Sequence, residues 1–96
     1  MLLARDNDQF FGMLTLVIFR IPTGVRAWIE DVVVGENARG RGVGKLLTEH
    51  AVEMALSEGA KTVDLTSRPD RRVANSLYKK VGFIPRETNV YRYLRP

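Results

Sequence analysis

Hydrophobic and polar residues alternate with different periods along the chain, and each period predicts a different element. An apolar, aromatic-rich segment runs from Gln9 to Arg20, and a β-branched segment runs from Ala27 to Val34. Clusters of turn-forming residues stand before each segment. The pattern therefore predicts an opening hairpin built from 2–5 and 9–20, followed by a third strand that is antiparallel to the second.

The second half of the chain alternates helical and extended patterns. Apolar residues at helical spacing predict one helix from Val43 to about Glu58 and another from Pro69 to Val81. Between them, the alternating segment 61–67 must return across the first helix, so we expect a strand parallel to 27–34. Residues 83–86 and 89–95 are expected to form a final hairpin. The predicted fold is α+β, a mostly antiparallel mixed sheet with one parallel pair and two main helices.

Composition restricts the possible classes of protein. A chain of 96 residues with 45% hydrophobic content makes one small domain. The absence of cysteine excludes disulfides and a cysteine nucleophile, and one histidine cannot build a zinc centre, so no metal is expected. The longest apolar run, Phe10 to Phe19, is about half of the ~20 residues that a membrane helix needs. With no evident signal peptide, we expect a cytoplasmic protein without a membrane partner.

The charge favours an anionic ligand. Fifteen basic and eleven acidic residues give a net charge of +4 and a pI near 9.9. A nucleic acid would be one such ligand, but the basic residues are mostly scattered rather than arranged in a stripe with aromatics. We therefore expect a phosphorylated cofactor and no nucleic-acid partner.

A loop with glycine at every second position joins the third predicted strand to the first predicted helix. Glycine lacks Cβ, so its amides can approach a ligand's oxygens, and the first amides of a helix have no internal partner. Three cations crowd this positive helix end, which opposes the macrodipole by roughly 0.3 to 1 kcal/mol per charge. Cations placed at a helix start, where the dipole disfavours them, indicate a functional site, here one that binds a pyrophosphate. The residues are Arg39, Gly40, Arg41, Gly42, Val43, Gly44 and Lys45.

Spacing distinguishes the families that use such a loop. A P-loop needs glycine at position 39 and Ser or Thr at 46, where the chain has Arg39 and Leu46; a dinucleotide fingerprint starting at Gly40 needs glycine where the chain has Lys45. The remaining pattern, Arg39-x-x-Gly42-x-Gly44, resembles the acyl-CoA-binding motif of the GCN5-related N-acetyltransferase (GNAT) superfamily. The alternative is a glycine-rich turn that only caps a helix.

A second motif resembles the same superfamily. The segment from Ala74 to Tyr78, followed by Gly82 and Phe83, is similar to its later Ala-Asn…Leu-Tyr…Gly-Phe pattern. The two motifs occur in the family's order and the resemblance spans more than half of the chain. The alternative is that Tyr78 is a packing residue and Asn75 a solvated one.

The resemblance implies acetyl transfer from acetyl-CoA, as cosubstrate, to a primary amine of a small molecule or protein. It also implies that the third and fourth strands splay apart, so that the pantetheine arm pairs with amides near Val32 and Val34. Asn75 would hold that arm. Tyr78 would protonate the leaving sulfur, since a phenol with pKa near 10 can donate to a thiolate whose conjugate acid has a pKa near 8.5.

Two adjacent carboxylates in the third strand are candidates for the base. Neighbouring strand residues face opposite ways, and a half-buried carboxylate with a raised pKa can accept a proton from an ammonium. Glu30 shares its parity with Val32 and Val34, so we choose it over Asp31, although a bulge would change that parity. Asp31, a water molecule, or no catalytic role for either acid remain open alternatives.

The chain departs from the superfamily at its start. Members usually carry a strand and one or two helices ahead of the opening hairpin, and these N-terminal helices are missing here. We expect a single acetyltransferase domain over 1–96, either minimal or N-terminally truncated, whose exposed apolar surface favours a homodimer. The alternative function is a non-catalytic acetyl-CoA-binding regulatory module.

Overall fold

A computed structural model describes residues 2–6, 9–38 and 40–96, and its central element is a four-stranded sheet. The strands lie in the order β1-β2-β3-β4; β1 pairs with β2 and β2 with β3 antiparallel, and β3 pairs with β4 in parallel. The predicted mixed sheet with one parallel pair is confirmed. Part of the predicted first turn, 7–8, lies outside the described residues. The strands are β1 Leu2–Asp6, β2 Gln9–Ile21, β3 Gly24–Val34 and β4 Ala60–Asp64.

Two α-helices, α1 Val43–Ser57 and α2 Arg72–Val81, confirm the predicted helices. A single 3-10 turn, Glu36–Ala38, lies between β3 and α1. α2 ends at Gly82, whose φ of 122° suits glycine, and its last turn carries two lysines that complement the helix dipole. Within the described ranges, no helix has the length and apolar character needed to cross a bilayer.

The core lies between α1 and one face of the sheet. Leu14 and Ile29 of the sheet pack against Leu47 and Ala51 of α1, and a second cluster is built from alanines only. Full burial of a side chain such as Leu14 contributes about 1.5 to 3 kcal/mol. The alanines let the C-terminal half of α1 approach the sheet closely. The alanine cluster contains Ala27, Ala55 and Ala60.

Residues 83–96 form no strand, so the predicted final hairpin is wrong. Phe83 still packs against the core, but beyond it the large side chains are exposed, with Tyr93 at 91%. The alternating pattern of this segment favours a strand locally. A strand is stable only where it can pair with the edge of a sheet and pack against neighbouring side chains. Pro85 also removes one backbone donor from the segment.

Candidate functional site

A cleft opens where β3 and β4 stop pairing. Their parallel register runs from Val25 opposite Ala60 to Trp28 opposite Asp64, where β4 ends. β3 continues to Val34, and no described strand pairs with this extension on the side of β4. Pairing between the two segments therefore stops here, and residues from both of them line the gap.

The open edge of β3 carries backbone amides that point into this gap. The amide of Gly35 donates to the carbonyl oxygen of Phe11 at 2.7 Å, so it points toward β2. Neighbouring amides of a regular extended chain point in opposite directions, which turns that of Val34 toward the side of β4. Val34 is one of the two positions at which pantetheine pairing was predicted. The other, Val32, lies beside a β-bulge, where this alternation does not hold.

A β-bulge at Asp31 shapes the cleft. Met13 pairs with Val33 but Thr15 pairs with Glu30, so that two residues of β3 stand opposite one residue of β2. Asp31 has φ of 54°, a left-handed conformation that is uncommon for a residue with a side chain. A bulge bends its strand and increases the local twist, and here it bends β3 where pairing with β4 has already ended.

The cleft brings together side chains from β3, from the segment after β4 and from α2. Its volume is about 230 Å³. Two carboxylates, two hydroxyls, a guanidinium and a phenol line it, so an amine, a carbonyl oxygen and a leaving thiolate would each meet a complementary group. The lining residues are Ile29, Glu30, Asp31, Val32, Leu65, Thr66, Ser67, Arg71 and Tyr78.

Both candidate bases line the cleft, because the bulge removes the strict alternation on which the choice between them rested. Glu30 and Asp31 are both exposed, so the expected half-burial of the base is wrong. The Oε1 of Glu30 accepts a hydrogen bond from Nε1 of Trp28, two residues earlier. This bond holds the Glu30 carboxylate beside the indole. Glu30 and Asp31 therefore differ in how their carboxylates are held. Trp28 donates a hydrogen bond to Glu30, whereas no described hydrogen bond holds the Asp31 carboxylate.

Tyr78 lies half-buried on α2 with its phenol in the cleft. Burial raises the pKa of the Tyr78 phenol above its ordinary value of 10.0, and the nearby Arg71 cation acts in the opposite direction. The ring packs edge-on against Phe83, with centroids 6.0 Å apart and planes at 70°. The phenol consequently keeps its proton through the neutral range and can donate it.

Asn75 is placed three residues before Tyr78 on α2 but does not line the cleft. Its Nδ2 donates to the carbonyl oxygen of Arg68 at 3.1 Å, and the backbone N–H of Arg71 donates to the same oxygen at 3.1 Å. The side chain of Asn75 thus braces the turn that leads into α2. That turn carries Arg71 into the cleft.

The glycine loop presents open backbone at the start of α1. Gly40 and Gly42 have φ of 79° and 75°, and nothing lies within 4 Å of where a Cβ would stand on either. Among the described residues, the amides of Gly44 and Lys45 make no backbone hydrogen bond, whereas Arg41 donates to Ala38 at 3.2 Å. Two amides of the first turn are therefore left without a backbone acceptor among the described residues, and one amide of the loop is already bonded within the protein.

The three predicted cations of the loop differ in their surroundings. The guanidinium of Arg41 stacks over the ring of Phe11, 5.1 Å from its centroid, and Lys45 is exposed in the first turn of α1. Arg39 lies outside the described residues. The first turn of α1 contains no acid, and no side chain caps it, so the positive end of the dipole is not neutralised by the helix itself.

Sequence reasoning missed three polar residues of the cleft, Thr66, Ser67 and Arg71. They lie between the carboxyl end of β4 and the start of α2, where polar residues commonly line a site. Their position between β4 and α2 could be predicted from the sequence. Their presence in the same cleft as Glu30 could not, because it depends on where β3 and β4 stop pairing.

Comparison with known proteins gives a consistent result. The model of the acetyltransferase (GNAT) family matches residues 1–83. N-alpha-acetyltransferase 30 of Schizosaccharomyces pombe is 30% identical over 94% of this chain and 60% of its own length. Mycothiol acetyltransferase of Renibacterium salmoninarum is 33% identical over 86% of this chain and 25% of its own length.

A solved structure agrees with the sequence relatives. The crystal structure of a Trypanosoma brucei acetyltransferase superimposes with a TM-score of 0.78 at 31% identity, covering 91% of this chain and 61% of that one. The chain thus spans at most about 60% of each of these relatives. The family model covers more than half of this chain, and the cleft, the open strand edge and the glycine loop lie inside the matched range. The chain therefore belongs to the acetyltransferase (GNAT) family.

Proposed function

We propose that the protein transfers the acetyl group of acetyl-CoA to a primary amine of a small molecule or a protein. The observation that supports this most directly is the convergence of Glu30, Asp31 and Tyr78 in one cleft beside an open strand edge. Membership of the family supports the same chemistry. The proposal covers both classes of acceptor, because relatives named for protein and for small-molecule acetylation resemble the chain to a similar degree.

The residues present fit a CoA molecule. In this proposal the outward amides of the first turn of α1 hold the pyrophosphate, aided by the helix dipole and the charge of Lys45. The amides of Val32 and Val34 pair with the pantetheine arm. Asn75 binds the same arm, in addition to bracing the turn that leads into α2. The loop residues assigned to the cofactor are Arg39, Gly40, Arg41, Gly42, Val43, Gly44 and Lys45.

The reaction needs no covalent enzyme intermediate, because a free amine attacks a thioester directly. A new C–N bond forms as the C–S bond breaks, the Glu30 carboxylate takes the proton lost by the amine, and Tyr78 gives its proton to the departing sulfur. Alignment of the reactants supplies roughly 7 to 11 kcal/mol of the reduction in barrier. Acid and base catalysis each contribute about 10² to 10⁴ in rate.

A Tyr78→Phe variant tests the proposal, with Tyr91→Phe as the matched control because Tyr91 is 87% exposed and does not line the cleft. We expect release of CoA from acetyl-CoA with a panel of small amines and peptide N-termini. Tyr78→Phe should lower kcat by about 10² to 10⁴ without weakening acetyl-CoA binding, whereas Tyr91→Phe should not. Equal turnover in the two variants would contradict the acid role. Binding of acetyl-CoA without transfer to any amine would favour the non-catalytic binding module instead.

We also propose a homodimer, supported by apolar side chains that α1 and α2 leave exposed on the sheet. Val17 and Phe19 of β2 are 43% and 42% exposed. Exposed apolar residues grouped on one face commonly mark an interface. A single domain over 1–96 and a cytoplasmic location stay predictions, which limited proteolysis and cell fractionation would test.

A further inference from the structure

Four polar residues of the cleft have no part in the proposed mechanism. Asp31 belongs to β3, and Thr66, Ser67 and Arg71 belong to the segment that joins β4 to α2. In a ligand site, a small number of polar groups fix the orientation of the bound molecule and select it. These four residues are therefore available to bind the acceptor.

The charges of the cleft are separated by element. Both carboxylates, of Glu30 and Asp31, come from β3, whereas the guanidinium of Arg71 and the hydroxyl of Ser67 come from the segment between β4 and α2. An ammonium group is attracted to the carboxylates, and an anion is attracted to the guanidinium and the hydroxyl. A molecule that carries both an amine and an anion would meet a complementary group at each end.

The backbone of Arg71 is held on both sides. Its N–H donates to the carbonyl oxygen of Arg68 at 3.1 Å, and its own carbonyl oxygen accepts from the N–H of Asn75 at 3.0 Å. The Nδ2 of Asn75 donates to the same Arg68 oxygen at 3.1 Å. From this fixed backbone, the guanidinium presents N–H donors in one plane, which matches the two oxygens of a carboxylate. A held backbone also reduces the ordering cost of binding.

The size of the cleft favours a small acceptor. Its volume of about 230 Å³ is below the roughly 300 to 1,000 Å³ of pockets for drug-sized ligands, and it must also hold the acetyl group. The amine and the anion of the acceptor must then lie within a few bonds of each other. A phosphate would bring up to two negative charges beside two carboxylates, where the described lining has one cation, so a carboxylate fits better.

We propose that the acceptor is a small α-amino acid, whose amine faces Glu30 and Asp31 and whose carboxylate binds to Arg71. Ser67 donates a second hydrogen bond to that carboxylate. The neutral amine forms the C–N bond as the C–S bond breaks, Glu30 takes the proton of the amine, and Tyr78 protonates the sulfur. The products are an N-acetyl amino acid and free CoA. The inference rests on the proposed function and narrows its acceptor to one chemical class.

The test pairs each common amino acid with its α-amide, which keeps the amine and lacks the carboxylate. The amine of the amide is less basic, so more of it is neutral and its intrinsic reactivity is higher near neutral pH. The wild type should nevertheless give a kcat/KM about 10- to 100-fold higher for the preferred amino acid than for its amide, as expected for hydrogen bonds between charged groups.

Arg71→Gln should lose most of this ratio through a higher KM for the amino acid, and Arg71→Lys should recover part of it. The matched control is Arg68→Gln, which removes an exposed cation of the same segment that does not line the cleft, and it should keep the ratio. Loss of the Arg71 cation also raises the pKa of Tyr78, but this change affects both acceptors alike and cancels in the ratio.

The outcomes separate this inference from the proposed function. A wild type that acetylates the amides or simple alkylamines as well as any amino acid would overturn the inference, and so would an unchanged ratio in an Arg71→Gln variant that thermal melts show to be folded. Preference for a C-terminally amidated peptide that begins with aspartate would place the anion on a protein acceptor and also overturn it. If acetyl-CoA binds but no amine of the panel is acetylated, the proposed function itself is wrong.

Discussion

The side chains of the cleft show how single residues decide the chemistry of this site. Asp31 in a left-handed conformation costs of order 1 to 3 kcal/mol, which the surrounding sheet must offset. The resulting bulge puts Asp31 and Glu30 on the same cleft, and the indole of Trp28 holds the Glu30 carboxylate. Parity alone predicted that only one acid would face the cleft. The bulge arises from pairing with β2, which sequence periodicity does not report.

The first prediction concerns the base. Glu30→Gln should lower kcat/KM by about 10² to 10⁴, because the amide can accept a hydrogen bond but not a proton from the amine. The activity of this variant should recover partly as pH rises and the acceptor amine loses its proton in solution. Asp31→Asn, at the neighbouring position, should have a smaller effect. Rates at saturating acetyl-CoA measure both, and a larger loss in Asp31→Asn would assign the role to Asp31 instead.

The second prediction concerns the pH dependence of Tyr78. Since burial raises the pKa of its phenol above 10.0, proton donation should persist at pH 10 and fall only as pH passes the raised value. Arg71→Gln removes a cation that lowers this pKa, so the alkaline limb of kcat should move to higher pH. Ultraviolet titration of the wild type against Tyr78→Phe gives the pKa directly. A Tyr78 titration at or below pH 10 would contradict the prediction.

The same pKa shift affects stability. A phenol that binds its proton more tightly in the folded state than in the unfolded state stabilises the fold fully below pH 10. This contribution is lost as pH rises from 10 through the raised pKa, because the unfolded state ionises first. Urea unfolding as a function of pH should therefore show a steeper alkaline decline in the wild type than in Tyr78→Phe.

At the scale of elements, the helices could be predicted from the sequence because the residues that end a helix and the spacing of its apolar residues are local features. Gly82 ends α2 where its position predicted, and α1 begins at Val43 after a left-handed Gly42. Burial along α1 does not follow residue type at two positions, because the apolar Leu46 is 63% exposed. The polar Thr48 is buried and donates to the carbonyl oxygen of Gly44 at 2.7 Å.

The third prediction tests the loop at the start of α1. Gly42 and Gly59 stand near opposite ends of this helix, have φ of 75° and 88°, and have no atom within 4 Å of the point where a Cβ would stand. Glutamate at either position should therefore destabilise the fold similarly, by about 1 to 2 kcal/mol for the left-handed backbone. Only Gly42→Glu adds a negative charge where the pyrophosphate is expected, so it alone should weaken acetyl-CoA binding strongly.

Calorimetry with acetyl-CoA on both variants, with urea unfolding alongside, separates binding from stability. We expect Gly59→Glu to bind like the wild type and Gly42→Glu to bind at least about tenfold more weakly, the equivalent of 1.4 kcal/mol. Equal affinities in the two variants would show that the loop does not hold the phosphates. Such a result would remove the basis of the loop assignment.

At the scale of the whole molecule, the described residues pack a helix, α1, against one face of the sheet. Ala27 and Ile29 of β3 are buried on the α1 side, and alternation places Trp28 on the other face, where β2 puts Val17 opposite it. The strands and the helix that form the packed face could be predicted from the sequence, because each has its own local pattern of apolar and polar residues. What covers the second face depends on contacts that no local pattern of apolar and polar residues encodes.

The fourth prediction follows from this uncovered face. Sedimentation of the wild type at micromolar concentrations should show a dimer, and Phe19→Lys should shift it to the monomer, because a charge at the centre of an apolar interface must be desolvated without a partner. Leu56→Lys is the control, since Leu56 is 57% exposed on α1 rather than on the sheet. A monomeric wild type, or a Phe19→Lys variant that stays dimeric, would contradict the homodimer. If Leu56→Lys alone dissociates it, the interface lies on α1.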